Sequence, residues 1–77
     1  MRGVVLSYVI SEPGQETVNT IANDLHNSQN PKQRLYRAVY EAVMSLDQRG
    51  LIRFGDGPNR TNSVLWPEPG ADDVMTY

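Results

Sequence analysis

A change of period at Gly50 constrains this chain more than any other feature. Over residues 31–49 apolar side chains recur at helical spacing, with Leu35, Val39, Ala42, Val43 and Leu46 on one face. Beyond Gly50 that spacing stops, and two short apolar runs, residues 51–54 and 63–66, flank the turn sequence Gly55-Asp56-Gly57-Pro58-Asn59-Arg60. Glycine ends helices and proline cannot donate to a ladder, so the pattern predicts one long helix, then a β-hairpin whose second strand stops at Pro67. Asn30 is placed to cap the helix, and Pro31, with φ already near its helical value, suits its first position.

Seventy-seven residues allow one domain with one small core, for which a homodimer is a candidate source of added stability. The chain contains no cysteine, so neither disulfides nor zinc-thiolate ligation can hold the fold. Its apolar runs are too short to cross a bilayer and its start lacks a signal-peptide pattern, so a cytoplasmic location without a membrane partner is expected.

Before the long helix, residues 3–11 are ambiguous: Val4, Val5, Val9 and Ile10 are β-branched, yet Val5, Leu6, Val9 and Ile10 also form a helical stripe. Ser11-Glu12-Pro13-Gly14 is a break. Val18, Ile21, Ala22 and Leu25 then fall at i, i+3, i+4 and i+7 behind Thr17, predicting a short amphipathic helix capped by the Thr17 hydroxyl. Residues 26–30 are a polar connection. Residues 67–77 read as an acidic, flexible tail unless Val74, Met75 and Tyr77 dock, which leaves residues 1–66 as the domain.

The formal charge of −2 conceals a segregation. Residues 31–66 carry Lys32, Arg34, Arg37, Arg49, Arg53 and Arg60 against Glu41, Asp47 and Asp56, a surplus of +3; the first thirty residues carry −2 and the last eleven −3. Basic charge therefore concentrates on the helix and hairpin, as steering toward a polyanion requires. A helical wheel sets Gln33, Tyr36, Arg37, Tyr40, Met44 and Gln48 opposite the apolar stripe.

The order helix, break, helix, polar connection, helix, hairpin resembles the winged helix-turn-helix DNA-binding domains of prokaryotic transcriptional regulators. Residues 39–52, Val-Tyr-Glu-Ala-Val-Met-Ser-Leu-Asp-Gln-Arg-Gly-Leu-Ile, look like the end of a recognition helix and the start of a wing. Residues 17–25 are similar to the second helix, with the small Ala22 where two helices cross. The connection at residues 26–30 is longer than the family's tight turn. The resemblance spans about residues 3–66. It implies a mainly α fold with a β-hairpin (α+β), three helices followed by a two-stranded wing, and hence a helix at residues 3–11.

The function it implies is binding of double-stranded DNA by a small repressor-like regulator or an accessory factor of a prokaryotic or viral system. In that reading Gln33, Arg34 and Arg37 face the bases, since arginine can donate twice to guanine and glutamine can both donate to and accept from adenine. Tyr36 and Tyr40 would meet phosphates or thymine methyls, Lys32 and Arg53 would contact phosphate, and Asn59, Arg60, Thr61 and Asn62 would form the wing contact.

Each residue also has a plainer reading. Surface arginines are commonly solvated, Asn59 and its neighbouring glycines supply turn geometry, and Tyr36 and Tyr40 can pack on the hairpin. Arg60 alone has no turn role, while Trp66 reads as core or dimer contact rather than a base-stacking platform. The alternative function is a winged-helix protein-interaction module that uses Tyr36, Tyr40 and Met44. Catalysis is disfavoured: His26 is the sole histidine, no nucleophile and base pair is evident, and the acids are not at metal-ligand spacing. No cofactor, metal or small-molecule substrate is expected.

Overall fold

The computed structural model describes residues 1–26 and 32–71, without the side chains of Lys32 and Gln33. Three helices, α1 (Arg2–Ser11), α2 (Val18–Leu25) and α3 (Lys32–Gln48), precede an antiparallel pair of strands, β1 (Ile52–Phe54) and β2 (Leu65–Pro67). The fold is thus α+β and mainly helical. The ambiguous residues 3–11 are helical. Val5, Leu6 and Val9 share its buried face, a burial that a strand of alternating faces would not allow them. The expected cap Asn30 and the helix-starting Pro31 lie outside the described residues, as do Val74, Met75 and Tyr77.

Local chemistry sets the element ends. At the start of α2 the Thr17 hydroxyl accepts from the Thr20 N–H at 3.2 Å while the Thr20 hydroxyl accepts from the Thr17 N–H at 2.7 Å, a reciprocal cap. Gly50, at φ 74°, closes α3: its N–H donates to the Asp47 carbonyl and the Leu51 N–H reaches back to Leu46, both at 3.0 Å. That pair of bonds defines a Schellman end, which only a residue at ease with positive φ terminates without strain.

The core gathers one face from every element. Val5, Leu6 and Val9 of α1, Val18, Ile21 and Ala22 of α2 and Val39, Ala42, Val43 and Leu46 of α3 join one cluster, with Ile52 and Leu65 entering from the hairpin. Each valine, leucine or isoleucine side chain among them contributes about 1.5–3 kcal/mol by leaving water, and each alanine methyl less. Register pairs Phe54 with Leu65 and Arg53 with Trp66, so Leu65 points inward and Trp66 outward. Of the two readings of Trp66, core or dimer contact, the core one does not hold: its indole lies on the outer hairpin face, 37% exposed, seated on Gly14 and Gly55.

The outer edge of β2 is covered from the α1–α2 connection. The Leu65 N–H donates to the Glu16 carbonyl at 2.8 Å and the Leu65 carbonyl accepts from the Gly14 N–H at 2.9 Å, satisfying groups that an edge strand would leave open. Beyond β2 the chain stays on the body. The Glu68 N–H bonds to the Leu51 carbonyl at 2.9 Å and Ala71 is 1% exposed within the core.

Candidate nucleic-acid interface

Helix α3 is flanked by α1, α2 and β1, and this wide embrace decides which of its side chains are open. Arg34, Arg37, Glu41 and Gln48 are exposed and, at about 100° per residue, fall within an arc of roughly 60°. Tyr36, Tyr40 and Met44, expected on the open face, are half-buried, and both tyrosines pack against the core. The apolar stripe understated the buried arc. Tyr36 sits only about 60° from Val39, and neighbours on three sides cover the shoulders as well as the centre.

Within the open arc Arg37 Nε lies 3.5 Å from Glu41 Oε1, with the two side chains 84% and 68% exposed. An exposed pair one turn apart contributes about 0.3–0.5 kcal/mol, too little to withhold Arg37 from a stronger anionic partner. Among the described residues no ion pair includes Arg34. Side-chain geometry of Lys32 and Gln33 lies outside the described residues.

The hairpin residues are divided by their bonds. Asn59 caps a 3₁₀ turn at Arg60–Asn62: its Oδ1 accepts from the Asn62 N–H at 3.1 Å and from the Thr61 hydroxyl at 2.7 Å. Asn62 accepts in turn from the Asn19 side-chain amide of α2. Three of the four expected wing contacts thus have polar groups engaged within the fold. Arg60 extends the other way, its guanidinium 6.0 Å from the centre of the Phe54 ring and its Nη1 3.8 Å from Met44 Sδ. Arg53 is held on the outer hairpin face, 5.5 Å over the Trp66 ring and 3.6 Å from Glu68 Oε1.

Met44 follows Arg37 by seven residues, which sets Arg60 about 10 Å farther along the helix axis at 1.5 Å per residue. Glu41 shares the open arc with Arg34 and Arg37, while Glu12, Glu16 and Asp24 line a hollow between α1 and α2, where the Thr20 hydroxyl donates to Glu16 Oε2 at 2.7 Å. Among the described residues no three histidine, aspartate or glutamate side chains come together as a metal site. His26, at the end of α2, is exposed.

Sequence reading missed Asn19, whose only signal was an amide at a helical position of modest helix propensity. It also missed the seat that Phe54 and Met44 make for Arg60, a meeting of residues set by the tertiary fold. No protein-family model, curated protein or solved structure matches this chain.

Proposed function

We propose that this chain is a DNA-binding protein of winged-helix design, a small regulator or accessory factor that lays the open arc of α3 in the major groove. The observation that carries the reading is the make-up of that arc. Toward the start of α3 it presents Arg34 and Arg37, and it contains no apolar side chain. A protein-docking helix would offer the reverse. Arginine suits both tasks at such a surface, donating in pairs to guanine and neutralising phosphate.

Arg60 supplies the second point of contact. Its offset of about 10 Å from Arg37 is comparable with the ~12 Å width of the major groove, so a helix contact to the bases and a hairpin contact to the flanking backbone are compatible. Asn59, Thr61 and Asn62 shape the turn in this account, which narrows the wing contact to Arg60. Lys32 and Gln33, adjoining Arg34, extend the contact at the helix start. The alternative of a protein-interaction module draws on a stripe whose tyrosines already pack on the core, and is disfavoured for that reason.

Titration of a labelled duplex at low salt tests the choice of helix. Wild-type protein binds, and Arg34→Ala/Arg37→Ala loses tenfold or more, since each paired arginine contact carries about 1–3 kcal/mol. Equal affinity of the double variant would move the interface off α3. Absence of wild-type binding to any duplex would refute the function.

A further inference from the structure

The hairpin loop is tied to the helical body at a point that no sequence motif marks. Asn19, in the first turn of α2, donates its side-chain amide to Asn62 Oδ1 at 2.5 Å. Asn62 is itself fixed, its N–H and its Nδ2 donating to Asn59 Oδ1 at 3.1 and 3.2 Å. The Ser63 hydroxyl donates to the Asn59 carbonyl, closing the turn from its other end. Arg60 belongs to the same 3₁₀ turn, but its side chain leaves on the α3 side, against Phe54 and Met44. One short turn therefore bridges two helices, with an amide latch on α2 and a guanidinium beside α3.

We infer that Asn19 and Asn62 are positioning residues for Arg60, a latch that holds the wing arginine at a fixed place beside α3. The inference rests on the DNA-binding reading above and extends it to residues that touch no phosphate. An arginine side chain has many rotamers, and an anchored turn reduces the freedom lost when it meets the backbone. Phe54 and Met44 give it only soft contacts, a ring at the outer limit of cation–π distance and a weak sulfur acceptor. Bonds within the loop close the turn, and the polar latch ties that closed turn, and with it the base of the side chain, to α2. Asn19 carries no charge, so its removal alters phosphate binding through Arg60.

A double-mutant cycle tests this. Duplex affinity and its salt dependence are measured for wild type, Asn19→Ala, Arg60→Ala and the double variant, with thermal melting as a check on folding. Asn19→Ala, on a helix that alanine favours, weakens binding roughly three- to tenfold, a coupling typical of neighbouring residues. Arg60→Ala lowers the salt slope by about 1, Asn19→Ala moves it the same way, and Asn19→Ala costs nothing further once Arg60 is gone. Asn62→Ala, which removes the other half of the latch together with the Nδ2 bond to Asn59, weakens binding at least as much as Asn19→Ala and likewise costs nothing further once Arg60 is gone. An equal loss from Asn19→Ala with and without Arg60, or no loss at all in a protein that binds DNA, would overturn the latch and leave the DNA reading standing. Failure of the wild type to bind would overturn both.

Discussion

Gly14 and Gly50 adopt nearly the same backbone angle, φ 72° and 74°, for different reasons. A Cβ at Gly50 would meet open space, whereas one at Gly14 would run into the Trp66 ring. Gly50→Ala should therefore cost only the left-handed strain of about 1–2 kcal/mol, and Gly14→Ala clearly more, as measured by urea midpoints. Equal losses would mean that the Trp66 seat on Gly14 carries no weight. Gly50 was legible from the point where helical spacing stops. Gly14 showed only as part of a break, because the indole it accommodates comes from the far end of the chain. Arg60 was readable as a residue without a turn role, but its place beside Met44 depends on how the hairpin folds back.

At the scale of elements, α2 was readable almost to the residue because stripe and cap agree: Thr17 precedes Val18, Ile21 and Ala22 and caps as its position predicts. Thr17→Ala should lower stability by about 1 kcal/mol in chemical denaturation, and no change would mean that the cap is dispensable. Leu65→Ala removes a fully buried side chain from the inner hairpin face and should cost about 2–5 kcal/mol, whereas Arg53→Ala on the outer face should cost less than 1. Similar losses from the two would contradict the inward and outward assignment. Other elements were less open to reading. Period left α1 undecided between helix and strand, and only the resemblance favoured helix. The expected strand at residues 51–54 starts one residue before β1, and that at residues 63–66 starts two residues before β2 and ends one residue before it, because pairing, rather than composition, sets strand ends. The 3₁₀ turn was absent from the sequence reading, since Gly-Asp-Gly-Pro-Asn signals a turn without specifying its shape.

Across the whole molecule, the charge segregation seen along the sequence acquires a spatial form. Acids line the hollow between α1 and α2, while Arg34, Arg37 and Arg60 stand on or beside α3. What the sequence concealed was how much of α3 its neighbours cover, so the tyrosine stripe looked more open than it is. The salt dependence of wild-type duplex binding decides whether this surface meets DNA, because counterion release reports the number of phosphates neutralised. With Arg60 and Lys32 on phosphate and Arg34 and Arg37 on the bases, log affinity should fall with log salt at a slope of about −2, near −0.9 for each phosphate contact. A slope near zero, or no binding at the lowest salt, would contradict the account.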